Sequence, residues 1–229
     1  YDQRPSGLAG MTQAIPSLSV VIPCLNESKR LPLLLADLQQ GPNNHELVIA
    51  DGGSIDGSLA IARLSGAHVI TVEPAGRGHQ LAAGARQASG TWLLFLHADS
   101  RLPKTWAERI RSVLLSPQAA ASAWYFDLQI HPGTPMRQLL AKAVALRSRW
   151  LQRPYGDQGL LLHQTLYARS GGFADVPLME DLDLVERLSK IASLRPLHTR
   201  LITDGRRWDR CDVLRRSLQN FKLKRRWKQ

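Results

Sequence analysis

Short apolar runs alternating with amphipathic stretches organise the first part of the chain. Leu18–Pro23 is apolar and β-branched. Asn26-Glu27-Ser28 then supplies helix-start chemistry ahead of Leu31, Leu34, Leu35 and Leu38, which recur at helical spacing. The same couplet returns as strand Glu46–Ala50 with helix Ile55–Leu64, and as strand His68–Val72 with helix Gly78–Ala88. Thr91–Leu96 reads as a fourth strand. Strands alternating with helices predict right-handed crossovers and a mainly parallel sheet. Beyond Asp99 the rhythm changes. Lys104–Leu115 reads as helix, Ala121–Ile130 as a longer strand, and Met136–Leu151 as a basic helix with Leu and Ala on one face. Tyr155–Gly159 is a polar turn before the apolar Leu160–Leu162. The Gly pair within Arg169–Phe173 suits a helix end. Met179–Leu184 opens an acid-rich helix start, and Leu201–Thr203 is strand-like. The second half reads as mixed α+β laid against the first. The fold class expected is α/β, a mixed, mainly parallel central sheet flanked by helices.

Composition sharpens the boundaries. With 229 residues, 44% of them hydrophobic, and no Ser/Gly/Pro linker, the chain can bury one substantial core, expected over residues 17–209. Residues 1–16 are expected to be a leader or tag remnant without fixed structure, since Tyr1–Gly10 has no apolar run and the first Met is Met11. No apolar segment approaches the ~20 residues that cross a bilayer. Cys24 and Cys211 have no metal-type spacing, which points to a reducing cytoplasm. The formal charge is +11, and Arg200–Gln229 carries eleven Arg or Lys against Asp204, Asp209 and Asp212. Within it Val213, Leu214, Leu218 and Phe221 recur at helical spacing, so residues 210–229 read as a basic amphipathic helix. Such a helix suits either a solvated surface or an anionic membrane, and the location expected is cytoplasmic, with peripheral contact at the inner membrane face.

The chemistry concentrates where apolar runs stop. Leu93–Leu96 ends abruptly in His97-Ala98-Asp99, and parallel sheets hold their ligands outside the carboxyl ends of the strands, so Asp99 is a candidate to hold a metal and a phosphate. Asp51-Gly52-Gly53-Ser54-Ile55-Asp56-Gly57-Ser58 lies between a strand and a helix. Its glycines permit close backbone approach and its carboxylates can accept from a base or ribose; a well-capped turn explains the same residues. Neither a P-loop nor the dinucleotide glycine fingerprint is present.

Taken in order, Ser19–Glu27, Asp51–Ser58, Asp99 and Glu180-Asp181 resemble the successive motifs of the family 2 glycosyltransferases, which have the GT-A, Rossmann-like nucleotide-diphospho-sugar transferase fold. The phrases Phe95-Leu96-His97-Ala98-Asp99, Gly156-Asp157-Gln158-Gly159 and Arg206-Arg207-Trp208 resemble a small bacterial branch of it. The resemblance spans about Leu18 to Trp208. It implies that Pro23, Asn26 and Glu27 cradle a nucleoside, and that Asp51 with Gly52 meets the base. It places Asp56 near ribose and diphosphate, Arg77 facing the pyrophosphate, and Ala98-Asp99 at a Mg²⁺ or Mn²⁺ ion bridging the phosphates. His97 stands where the family often has a further carboxylate, either as a packed strand residue or as a ligand. Asp181 would be the base that deprotonates an acceptor hydroxyl, with Glu180 orienting either the acceptor or Asp181. Gly156, Asp157 and Gln158 would face the acceptor or the donor sugar, and Arg206, Arg207 and Trp208 would close over the diphosphate or root the basic tail.

The function implied is metal-dependent, inverting transfer of a sugar from a nucleoside-diphosphate donor to a hydroxyl on a glycan, lipid or small molecule. Two rivals remain. A nucleotidyltransferase would carry a Gly-rich loop with Arg and Lys after the first strand, where this chain has Pro23–Glu27. A non-catalytic nucleic-acid-binding module would exploit the positive charge, but the charge gathers in the tail, away from the acidic motifs, so no nucleic-acid partner is expected.

Overall fold

A computed structural model of the chain describes residues 15–41, 45–174, 176 and 179–204. Strand β1 (Leu18–Cys24) is almost wholly buried, as a continuous apolar run requires at the centre of a sheet covered on both faces. It pairs in parallel with β2 (His45–Asp51) and β4 (Trp92–Phe95), and β2 pairs in parallel with β3 (His68–Thr71). Helices α1 (Leu31–Leu38), α2 (Ser58–Leu64) and α3 (Arg77–Gln87) make the crossovers. Leu31, Leu34 and Leu38 pack with Trp106 against one face; Leu81 packs with Val21, Leu93 and Phe95 on the other. At Gly84 a Cβ would run into Val21 Cγ1, so a missing side chain lets α3 seat on β1.

The second half extends the same sheet. Strand β7 (Leu160–His163) runs antiparallel to β4, and β6 (Ser122–His131) runs antiparallel to β7. Strand β8 (Ser193–Asp204) lies parallel to β6, and β5 (Ser100–Arg101) closes the edge, giving the order β3-β2-β1-β4-β7-β6-β8-β5. Helices α4 (Trp106–Leu114), α5 (Pro135–Trp150), α6 (Gln164–Arg169) and α7 (Glu180–Leu188) cover it.

Three expectations change. The second half is not a layer set against the first; its strands continue one sheet. Helix α2 begins at Ser58 rather than Ile55, because Asp56 Oδ1 accepts from the Ser58 N–H and hydroxyl and fixes the start there. Strand β8 is far longer than Leu201–Thr203. Ile15, just ahead of residue 17, packs on the core. Residues 210–229 and Arg206, Arg207 and Trp208 lie outside the described residues.

Candidate active site

The carboxyl ends of β1, β2 and β4 meet at one edge, and buried polar groups hold that edge open. Asp51, at the end of β2, is fully buried: Oδ2 accepts from the Gly53 and Ser54 N–H groups, each at 2.9 Å, and Oδ1 from the Ser54 hydroxyl. Asn26, with φ 55°, donates its N–H to Ser54 and accepts from the Ile55 N–H at Oδ1. Asp56 ties Ser28 to α2, and the Ser58 hydroxyl holds its carboxyl well below the usual range. Asp51, Asn26 and Asp56 thus form a hydrogen-bonded scaffold that joins the loops after β1 and β2 beside the cleft. Gln80 completes the scaffold, donating through Nε2 to the carbonyls of Cys24 and Ala50, each at 2.8 Å, and a Cβ on Gly52 would press on it. Nothing in the sequence marks Gln80, because its partners come from two other strands.

The cleft in front of this scaffold encloses about 280 Å³ and is lined by Pro23, Glu27, Arg77, His97, Ala98 and Asp99, among others. Asp99, 7% exposed, follows β4 into the wall. A smaller cavity of about 20 Å³ adjoins it, lined by His97, Tyr155, Gly156, Phe173 and Asp181 with neighbouring apolar side chains. His97 borders both.

Helix α7 delivers the acidic pair. Its first turn holds Glu180, Asp181 and Asp183, where the helix dipole favours negative charge. Glu180, 2% exposed, accepts from Arg77 Nε, and Arg77 Nη2 stands 3.9 Å from Asp181 Oδ1. Burial opposes the Arg77 charge, but the bond to Glu180 and the charge of Asp181 outweigh it and raise the guanidinium pKa. Arg77 lines the cleft while its guanidinium is paired with the buried Glu180. Asp181 Oδ2 accepts the Gly156 N–H at 2.7 Å, and Oδ1 the Leu182 N–H at 2.8 Å.

The segment 156–158 is a single 3-10 turn. Gln158 is fully buried, accepting from Ser148 and donating to the Phe126 carbonyl, so it anchors the turn. Asp157 Oδ1 is buried without a hydrogen-bond partner. Burial pushes its carboxyl up to about 6; Arg147 opposes this rise and Asp181 adds to it. Arg147 stacks over the Tyr155 ring, 3.5 Å from its centroid, and burial lowers its pKa. The chain's sequence gives no sign of this stacking.

Among the described residues no three His, Cys, Asp or Glu side chains gather as a complete metal cage. One buried carboxylate beside a cleft fits an ion that draws its other oxygens from a substrate.

The model of Glycosyl transferase family 2 matches residues 19–174. The chain belongs to this family. A PGL/p-HBAD biosynthesis glycosyltransferase of Mycobacterium bovis is 38% identical over 39% of the chain and 38% of its own length. A 4,4'-diaponeurosporenoate glycosyltransferase of Staphylococcus haemolyticus is 37% identical over 44% of the chain and 28% of its own length. The chain thus spans well under half of these curated relatives. Among solved structures, S. aureus TarS 1–349 in complex with UDP-GlcNAc superposes with a TM-score of 0.66 at 18% identity, covering 82% of this chain and 58% of that one. A mannosyltransferase from Pyrobaculum calidifontis with GDP-Man and Mn²⁺ gives 0.63 at 20% identity, covering 83% and 57%. The mixed sheet flanked by helices is the GT-A fold of these glycosyltransferases.

Proposed function

We propose that this family 2 protein transfers a sugar from a nucleoside-diphosphate donor to a hydroxyl acceptor, with inversion at the anomeric carbon. The observation that carries the reading is the adjacency of two cavities across His97, one walled by Asp99 and the other by Asp181. The donor's nucleoside and diphosphate occupy the larger cleft along Pro23, Glu27 and Asp99, and its sugar points toward His97. The acceptor enters beside Tyr155 and Gly156.

Asp181 takes the proton from the acceptor hydroxyl as that oxygen attacks the anomeric carbon. The new C–O bond forms as the bond to the diphosphate breaks, which needs a base on the face opposite the leaving group. The Gly156 N–H points at Oδ2 and holds the carboxylate in place. Glu180 positions Arg77 at the cleft wall. Asp99 would hold a Mg²⁺ or Mn²⁺ ion, whose charge offsets that growing on the diphosphate. The Mn²⁺ complexes of structural neighbours support that choice. Neighbours crystallised with UDP-GlcNAc, UDP and GDP-Man support a pyrimidine or guanine nucleotide donor. No helix among the described residues is long and apolar enough to cross a membrane, and we place the enzyme at the cytoplasmic side.

A nucleotidyltransferase is disfavoured because the β1 end presents Pro23 and Glu27, with no Lys or Arg, to the cleft. A thermal-shift screen of nucleoside diphosphates, with and without Mn²⁺, tests the proposal. Stabilisation by one base class that increases with Mn²⁺ supports it; no stabilisation by any of them overturns it.

A further inference from the structure

His97 is the residue that the two cavities share. Strand β4 ends at Phe95, and two residues later the His97 carbonyl accepts the Ser100 N–H at 3.0 Å, closing the turn from which Asp99 meets the larger cleft. Apolar side chains such as Leu81, Phe173 and Val185 make up most of the smaller cavity's wall, and the lining side chains that bring a charge or a ring nitrogen to it are Asp181 and His97. The position a Cβ would take on Gly156 lies 2.9 Å from Asp181 Oδ2 and 3.1 Å from His97 Nε2. The two polar atoms therefore converge on one place beside Gly156. A few polar groups converging in an apolar cavity are what orients a bound molecule.

A hydroxyl has one hydrogen and two lone pairs to direct. With its hydrogen on Asp181 Oδ2, an attacking hydroxyl uses one lone pair on the anomeric carbon and has the other left for a donor. We propose that His97 binds this attacking oxygen of the acceptor, donating its Nε2–H to the second lone pair. The role rests on the proposed transfer reaction with Asp181 as its base. The hydroxyl proton goes to Asp181, the new C–O bond forms and the bond to the diphosphate breaks, while the imidazole keeps its own proton throughout. Because His97 also borders the larger cleft, the reacting lone pair is turned toward the donor. A carboxylate at position 97 would accept instead of donate, and would repel Asp181. An imidazole coordinated through Nε2 to an ion at Asp99 would have no hydrogen there to offer, so the two roles exclude each other.

The test takes water as the attacking oxygen. The full chain, in excess over UDP-GlcNAc, UDP-glucose or GDP-mannose with Mn²⁺, is followed by release of UDP or GDP in a single turnover. The variants are His97→Leu, which removes the N–H, and His97→Gln, whose amide restores one at similar reach. We expect the rate to fall by about 10–100-fold in His97→Leu and most of it to return in His97→Gln. Calorimetric affinity for UDP or GDP, and its increase with Mn²⁺, should be unchanged in both. Release by His97→Leu at the wild-type rate overturns the proposal. So does loss of the Mn²⁺ increment in that variant, which would make His97 a metal ligand. A His97→Gln protein as slow as His97→Leu also overturns it, because the ring would then serve packing alone. The transfer reading fails by different results: no release by the wild type from any of these donors, or wild-type release by Asp181→Asn.

Discussion

Gly156 donates its backbone N–H to Asp181 Oδ2 at 2.7 Å, joining a turn after α5 to the first residues of α7. A Cβ at position 156 would lie 2.9 Å from that same oxygen and 3.1 Å from His97 Nε2. Glycine is thus required by close approach between two side chains of the site.

Gly156→Ala is expected to displace the Asp181 carboxylate while leaving the domain folded, because the crowded atoms are the ends of side chains. Turnover should fall with donor-nucleotide binding and melting temperature little changed. Full turnover in this variant would remove Asp181 from the role of base.

Asp181→Asn should lower kcat by about 10²–10⁴-fold, the range for loss of a general base, with nucleotide affinity retained. Single-turnover transfer or donor consumption alongside nucleotide titration separates the two effects.

The ion pair of Arg77 with Glu180 connects α3 to α7 across the site. Arg77→Ala leaves a nearly fully buried carboxylate without its partner, for an expected loss of about 1–3 kcal/mol. Adding Glu180→Gln should recover part of it. Urea denaturation of the two single variants and the double variant measures the coupling, and additive losses would contradict a direct pair.

Asp157 predicts a pH dependence. Its folded-state carboxyl titrates at about 6, above the ordinary aspartate range, so between these values the folded state binds more protons than the unfolded. Stability from this group is present at low pH and declines as pH rises through about 6. Asp157→Asn should flatten that decline in denaturation curves at pH 4.5 to 7.5.

The parallel half of the fold was legible because each strand is a compact apolar run followed by cap residues, as in Leu18–Pro23 before Asn26-Glu27-Ser28. Strand β8 was not. Pro196 and the positive φ of His198 interrupt its pattern, and its buried Leu194, Leu197 and Leu201 keep no single period. The strand forms because β6 pairs with it through a register shift between Tyr125 and Asp127. At the site, Asp99 stood out at the end of an apolar run and Glu180-Asp181 as an acidic helix start, whereas Arg77 was singled out only by the family resemblance, since its partner Glu180 is far away in the sequence. Asp51 and Asp56 also shape the loop between β2 and α2, where serine and backbone donors bond their oxygens. Gln80 acts through Cys24 and Ala50, distant in sequence, and Arg147 through Tyr155 across the end of α5, neither of which helix or strand periodicity encodes.

Calorimetric titration of UDP and GDP, with and without Mn²⁺, into the wild type and Asp99→Ala reads the donor site itself. One nucleotide should bind the wild type with an affinity raised by Mn²⁺, and Asp99→Ala should lose the Mn²⁺ increment. Equal Mn²⁺-dependent binding by both proteins, or no binding of either nucleotide, would contradict the donor-site reading.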